Sequence, residues 1–98
     1  MIDTAAFNDI RNYIKRRVGY VRYKVGSTFI RTEINDVEIT PTGIVRVEAV
    51  INSSPVTITR VELYNNNGDL WAHQDISITI SQGQTGILYW FDFTVEEG

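Results

Sequence analysis

The chain contains no cysteine and only one histidine among its 98 residues. Disulfides, thiolate metal sites and cysteine nucleophiles are therefore excluded. His73 has one carboxylate close to it in sequence, Asp75, and this pair alone forms neither a metal shell nor a catalytic triad. The acidic residues are spread along the chain, with no pair placed for acid–base catalysis. We therefore expect a protein that is not an enzyme and that binds no metal and no cofactor.

Long apolar runs are also lacking. No run approaches the roughly 18 apolar residues of a membrane helix, and the start at Met1 lacks the basic and apolar regions of a secretion signal. We therefore expect a protein that is made in the cytoplasm. The hydrophobic fraction of 43%, with two Trp, five Tyr and four Phe, favours a folded globular protein. The length predicts a single domain over residues 1–98.

Positive charge is scarce beyond the first third of the chain. Residues 1–31 hold seven of the nine basic residues and two acidic residues, for a net charge of +5. Residues 32–98 hold two arginines and ten acidic residues, for a net charge of −8. Such a separation acts on partners by steering and orienting them, and it does not determine the fold.

The first segment has the apolar period of an amphipathic helix. Asp3 and Thr4 are suitable N-cap residues, and the period ends before Gly19. We predict a helix within residues 3–18 and expect Ile10 and Ile14 to be buried against the rest of the protein. The apolar positions of the helix are Phe7, Ile10, Ile14 and Val18.

The remainder, residues 19–98, alternates between apolar and polar residues and predicts a β body. Gly26-Ser27 suits a tight hairpin turn, and Ile44–Ile51 alternates in the way of a half-buried antiparallel strand. The alternation changes parity near Thr59 and Arg60, which indicates either a bulge or a change of sheet. Other predicted strand segments are 20–25, 28–34, 37–40, 56–64, 70–74, 76–80 and 87–95.

The last predicted strand is apolar on both faces, because Leu88 and Trp90 alternate with Tyr89 and Phe91. We expect such a strand to be central in its sheet or covered by another element. About seven short strands with turns at intervals of about 8 to 12 residues are typical of an immunoglobulin-like antiparallel β-sandwich. The sequence therefore predicts a mainly β fold, with one N-terminal α-helix over a face or an open end of the sandwich.

One polar segment contains spaced oxygen atoms of the kind that calcium loops use. Asn65–Asp69 lacks, however, the bidentate acid that completes such a loop at the required spacing. Asn-rich turns that accept a positive φ have the same composition. We interpret the segment as a turn, with a calcium site as the alternative.

A basic surface is the clearest candidate for binding. The stretch from Arg11 to Lys24 interleaves tyrosines with six cations, as in surfaces that bind phosphates and stack bases. The acidic remainder of the chain repels a nucleic acid, which favours a surface that faces solvent or another protein. Exposed aromatic residues such as Trp71 and Trp90 could instead stack on sugar rings. The predicted partner-binding residues are Arg11, Lys15, Arg16, Arg22 and Lys24.

Two runs carry a resemblance to a known family. Val56–Ala72 (VTITRVELYNNNGDLWA) and Gly86–Phe93 (GILYWFDF) resemble a small family encoded in the tail and baseplate gene clusters of bacteriophages and prophages. The resemblance implies a minor structural protein of the virion, present in several copies.

The resulting hypothesis is a non-enzymatic structural protein of a phage or prophage particle. Its basic helix and first hairpin would dock onto acidic surfaces, either on other tail or baseplate proteins or on the next copy of the same chain. The alternatives are a nucleic-acid-binding accessory protein and a carbohydrate-binding module at a tail tip.

Overall fold

The computed structural model describes residues 3–51, 55–83 and 86–95, and these contain one helix and seven strands. The elements are α1 (Thr4–Arg17), β1 (Val18–Val25), β2 (Thr28–Thr32), β3 (Ile34–Ile39), β4 (Ile44–Ile51), β5 (Val56–Asn65), β6 (Leu70–Ile80) and β7 (Ile87–Thr94). Among the described residues, no helix has the length and apolar character needed to cross a lipid bilayer.

The strands form two antiparallel sheets that pack against each other. The four-stranded sheet has the order β2-β1-β5-β6, and the three-stranded sheet has the order β3-β4-β7. The chain passes from one sheet to the other at Glu33, between β2 and β3. At this crossing the Thr32 hydroxyl donates a hydrogen bond of 2.8 Å to the carbonyl oxygen of Val50, which ties the end of β2 to β4.

The predicted mainly β fold with one N-terminal helix is confirmed. The immunoglobulin-like topology is not confirmed. In a constant-type immunoglobulin domain the central strand of the three-stranded sheet is the sixth strand of the chain. Here that central strand is β4.

The core lies between the sheets and follows from the alternation of the strands. In β4, Val45, Val47, Ala49 and Ile51 are at most 1% exposed, whereas the residues between them point outward. Burial of these side chains supplies most of the stability, because apolar surface contributes about 25 cal/mol per Å² removed from water. The other buried apolar residues are Val21, Tyr23, Ile58, Val61, Leu63 and Ile80.

The change of parity in β5 is a bulge. The register between β5 and β6 shifts between Ile58 and Arg60, so Ile58 and Val61 both remain in the core. Two predicted boundaries were wrong. The segment predicted as one strand over 28–34 divides at Glu33, and the two segments predicted over 70–80 form one continuous strand because β5 pairs along both.

The helix lies across one open end of the sandwich, where it contacts turns and the strands β3 and β4. Near its middle, Arg11 Nε donates to the carbonyl oxygen of Gly43 in the β3–β4 turn at 2.8 Å. At its C-terminus, the backbone amide of Asn66 donates to the Arg17 carbonyl at 2.7 Å, and the Asn66 side chain donates to the Arg16 carbonyl at 3.2 Å. The β5–β6 turn therefore caps the last carbonyl groups of the helix.

The expected burial of Ile10 was wrong. Its side chain is 45% exposed, Ile14 is half-buried, and no described residue of α1 is fully buried. The physical reason is the position of the helix. An apolar stripe that rests on the end of a sandwich meets turn backbone, which covers less side-chain surface than a sheet face does.

Gly19 is the point of closest approach between the β1 start and the β5–β6 turn. A Cβ atom at this position would lie 2.3 Å from the carbonyl oxygen of Asn65. The register between β1 and β5 also shifts here, between Val18 and Tyr20. Only glycine allows the two backbones to come this close.

We expect Gly19→Ala to destabilise the protein by at least about 2 kcal/mol, because a methyl group would be forced against backbone. Urea denaturation measures the change in the free energy of unfolding. Ser27→Ala, in the exposed β1–β2 turn, is the control and should stay within about 0.5 kcal/mol of the wild type. Equal stabilities of all three proteins would contradict the close approach.

Candidate docking surfaces

The outer surface of the four-stranded sheet gathers cations and aromatic rings, and we call it the basic face. Residues paired across antiparallel strands point to the same side, so the register assigns the members of this face. It carries four cations and two carboxylates, for a net charge of +2. The basic face consists of Tyr20, Arg22, Lys24, Phe29, Arg31, Arg60, Glu62, Tyr64, His73 and Asp75.

Glu62 organises the centre of the basic face. The residue is 4% exposed, and its two carboxylate oxygens accept hydrogen bonds from three side chains. Arg22 Nε donates to Oε1, Arg60 Nε donates to Oε2 at 2.8 Å, and the Tyr64 hydroxyl donates to Oε1 at 2.9 Å. Asp75 accepts a further bond of 3.3 Å from Arg60. A buried carboxylate needs this complete set of partners.

The partners also determine the charge of Glu62. Burial by itself raises the pKa of this carboxyl group, because the charged form loses hydration. The hydrogen bonds from Arg22, Arg60 and Tyr64 together outweigh burial and hold the pKa below its ordinary value of 4.5. Burial, followed by the bond to Glu62, raises the pKa of the Tyr64 hydroxyl. At neutral pH the carboxylate is therefore ionised and keeps both guanidinium groups in position.

The aromatic rings of the basic face already have stacking partners. The Tyr20 and Tyr64 rings stack with centroids 4.9 Å apart and planes inclined by 8°. The Arg31 guanidinium lies 4.1 Å from the Tyr20 centroid, and the Arg22 guanidinium lies 3.9 Å from the Phe29 centroid. A nucleobase or sugar that stacked here would have to displace one of these partners. The arrangement therefore favours contacts with another protein over base stacking.

The predicted partner-binding residues occupy two separate places. Arg22 and Lys24 lie on the basic face, whereas Lys15 and Arg16 lie exposed in the last turn of α1. Arg11 has a structural contact, because it binds the β3–β4 turn and donates to Asn8 Oδ1 at 3.1 Å. The distance along β1 from its start to Lys24 is about 20 Å at the rise of a strand. The five residues are therefore not one cluster.

The exposed part of α1 is a second candidate, and we call Ile10, Tyr13 and Arg16, together with Lys15 about 100° further round the helix, the helix surface. Ile10, Tyr13 and Arg16 follow each other at i, i+3 spacing and are therefore neighbours. Tyr13 is 50% exposed but fixed, because Arg17 NH1 donates to its hydroxyl at 3.0 Å. Arg17 is fixed in turn by a bond of 2.9 Å from Nε to Asn66 Oδ1.

The outer surface of the three-stranded sheet has the opposite charge, and we call it the acidic face. It carries four carboxylates and one arginine, for a net charge of −3. Arg46 and Asp92 form a bidentate pair at 2.8 and 3.0 Å, and this contact holds the pKa of the Asp92 carboxyl group below its ordinary value. The acidic face consists of Asp36, Glu38, Arg46, Glu48, Val50, Leu88, Trp90 and Asp92.

The expectation for the last strand was wrong. β7 lies at the edge of its sheet rather than in the centre, and its outward residues Leu88 and Trp90 are 55% and 49% exposed. No element among the described residues covers them. The inward residues Tyr89, Phe91 and Phe93 pack against the core.

The Asn-rich turn has a structural role. Asn65 Oδ1 accepts hydrogen bonds of 2.9 Å from the backbone amides of both Asn67 and Asp69, and its side-chain amide donates to Asp69 Oδ2 at 3.3 Å. Asn66 caps the helix.

His73 is exposed on the basic face, in register with Glu62. Within the described ranges, no group of three or more His, Cys, Asp or Glu is placed to hold a metal ion.

Sequence reasoning did not find Arg31, Arg60 and Glu62 as members of the basic face. The signal available was the alternation of Arg60, Glu62 and Tyr64 after the bulge, which places all three on the outer side of β5. What the alternation does not contain is the pairing of β5 with β1, which brings Glu62 beside Arg22.

The comparisons with known proteins give no relatives. No family model matches the chain, and no curated protein and no solved structure is detectably similar to it. The resemblance to phage tail and baseplate proteins therefore stays a hypothesis drawn from the sequence.

We expect Glu62→Gln to reduce the free energy of unfolding at pH 7 by about 1 to 2 kcal/mol, a modest value because both arginines are partly exposed. The free energy of unfolding of this variant should also depend less on pH than that of the wild type. The pKa of Glu62 is lowered by folding, so its contribution is complete above the ordinary value of 4.5 and is lost as the pH falls through the folded value.

Urea denaturation between about pH 6 and pH 3 measures this effect. The wild type should lose stability more steeply below the ordinary pKa than Glu62→Gln does. Glu38→Gln, which removes an exposed carboxylate of the acidic face, is the control and should follow the wild-type slope. Parallel curves for the wild type and Glu62→Gln would show that the carboxylate does not stabilise the fold.

Proposed function

We propose that the protein is a non-enzymatic structural subunit of a phage or prophage particle, in the tail or baseplate region, that docks onto acidic surfaces of neighbouring subunits. The docking groups are the helix surface and the basic face. The assignment to a particle rests on the resemblance of Val56–Ala72 and Gly86–Phe93 to tail and baseplate proteins. The docking rests on the geometry of the two surfaces.

The observation that carries the proposal is the fixed, exposed Tyr13. A half-exposed aromatic ring normally loses side-chain freedom when it enters an interface, and this loss weakens binding. Here Asn66 fixes Arg17, and Arg17 fixes Tyr13, before any partner arrives. Tyrosine and arginine are among the residues that contribute most to protein interfaces. The neighbouring Ile10 adds apolar surface that the protein's own body does not cover.

Charge determines the kind of partner. Lys15 and Arg16 are exposed on the helix, and Lys24 lies on the basic face beside Phe29, with its Nζ 5.7 Å from the ring centroid. An acidic protein surface complements these cations and also accepts the apolar contacts of Ile10 and Phe29. Complementary charge mainly raises the association rate and fixes the orientation of the partners.

The alternatives have weaker support. A nucleic acid would meet the cations but would have to displace the ring partners of Tyr20 and Phe29 in order to stack. A carbohydrate could stack on the exposed ring of Trp90, whereas Trp71 is half-buried and lies edge-on to Phe93 at 6.3 Å.

The test reverses charges that have no structural role. We expect the triple variant Lys15→Glu, Arg16→Glu and Lys24→Glu to fold and to lose binding to neighbouring subunits, because each cation meets a carboxylate in the complex. Arg22 and Arg11 are left intact, since Arg22 is needed by Glu62 and Arg11 anchors the helix. Binding is measured by co-expression and co-purification with the proteins encoded beside this chain in its gene cluster.

The control variant reverses three carboxylates of the acidic face, Asp36, Glu38 and Glu48, to lysine. It should keep its binding to those proteins. A gel shift with single-stranded and duplex DNA tests the main alternative on the same samples. Micromolar binding to DNA at physiological salt, without binding to any encoded neighbour, would contradict the proposal.

A further inference from the structure

The acidic face contains an apolar centre that the protein itself leaves uncovered. Leu88 and Trp90 project from the edge strand β7, and the Arg46 guanidinium lies 5.1 Å from the Trp90 ring centroid. Exposed apolar groups of this size, rimmed by charged residues, are typical of a surface that binds another protein.

The rim of this centre is negative. Glu38 and Asp92 are in register with Arg46 from either side, and Asp36 and Trp90 are in register with Glu48. Asp92 is neutralised by its bidentate pair with Arg46, which leaves Asp36, Glu38 and Glu48 as the carboxylates available to a partner. The partner that fits must therefore be cationic and must also supply apolar or aromatic groups.

The opposite face of the same chain has this composition. Glu62 uses the charges of Arg22 and Arg60, so the cations that the basic face offers outward are Lys24 and Arg31, of which Arg31 also forms an exposed ion pair of 3.5 Å with Glu33. Phe29 is in register with Lys24, precedes Arg31 by two positions on β2 and is 39% exposed. Lysine, arginine and phenylalanine on one copy complement carboxylates, leucine and tryptophan on the next.

We infer that the acidic face of one copy binds the basic face of another, so that copies stack head to tail through the two outer faces of the sandwich. The inference rests on the proposed docking function and names a second copy of this chain as a partner of the basic face. Contacts between like faces would bring charges of the same sign together, which disfavours a symmetric dimer through either face.

The direction of growth follows from the geometry. The two faces belong to different sheets of one sandwich and point away from each other, because both sheets direct their buried residues toward the core between them. A contact between unlike surfaces leaves one free face of each kind at the ends of the stack. Repeated contacts of this kind produce either a closed ring or an open filament.

The experiment measures self-association of the purified protein by sedimentation velocity. We expect the average mass of the wild type to rise with concentration beyond that of a dimer at about 0.05 M salt, and to fall when salt is raised to about 0.5 M, where exposed charges are screened. A wild type that stays monomeric up to millimolar concentration at low salt would overturn the inference.

Charge reversal on each face tests the pairing. Glu48→Lys on the acidic face and Lys24→Glu on the basic face should each weaken self-association at least about tenfold, because like charges then meet across the contact. An equimolar mixture of the two variants should associate again, since each retains the face that the other has lost. Asp9→Lys, on the exposed side of the helix, is the matched control and should associate like the wild type.

A failure to recover association in the mixture would overturn the pairing of unlike faces. Circular dichroism and thermal melting of each variant show that it is folded before its association is interpreted.

Trp71→Phe leaves Trp90 as the one tryptophan of the chain. In this background, association should shift tryptophan emission to shorter wavelength as Trp90 is buried, and association without a shift would show that a different surface is used.

The same variants separate this inference from the proposed function. Glu48→Lys leaves the helix surface and the basic face unchanged, so it should lose self-association and still bind encoded neighbours. Binding to neighbours by a wild type that remains monomeric would overturn the head-to-tail contact alone. The converse result is self-association that responds to the variants as expected, without binding to any encoded neighbour. It would overturn only the proposed docking onto other subunits.

Discussion

The basic face depends on one buried carboxylate. The two guanidinium groups at its centre would otherwise repel each other, because the second carboxylate of the face, Asp75, lies on the edge strand β6 and binds Arg60. Glu62 supplies negative charge under Arg22 and Arg60, and its bond to Tyr64 sets the ring on which Tyr20 stacks. Two of the four cations of the basic face are thus paired at its centre.

The fold explains how a division of charge along the chain becomes a division of charge in space. The basic first third forms the helix and the β1–β2 hairpin, which belongs to the four-stranded sheet. The crossing at Glu33 then moves the chain to the other sheet just where the acidic part begins. β3 and β4 consequently direct their carboxylates away from the cations of β1 and β2. One connection of a single residue thus separates the two faces of the sandwich.

Much of the fold could be predicted from the sequence, whereas the order of the strands and the composition of the two faces could not. The spacing of apolar residues along the sequence is enough to predict the helix bounds, the irregularity near Thr59 and the residues of β4 that point inward. The edge position of β7 and the contact between Glu62 and Arg22 depend on which strands become neighbours. Residues 40 positions apart are brought together by pairing, and alternation carries no information about the partner strand.

The junction between α1 and β1 has a mechanical consequence. The helix ends at Arg17, the strand begins at Val18, and Asn66 binds the last helical carbonyl groups, so no loop intervenes to absorb rotation. The helix is therefore a stiff arm attached directly to an inner strand of the four-stranded sheet. A force applied to the helix is transmitted into the hydrogen-bonded ladder between β1 and β5. The orientation in which a neighbouring protein can bind the helix is therefore set by the orientation of the sandwich.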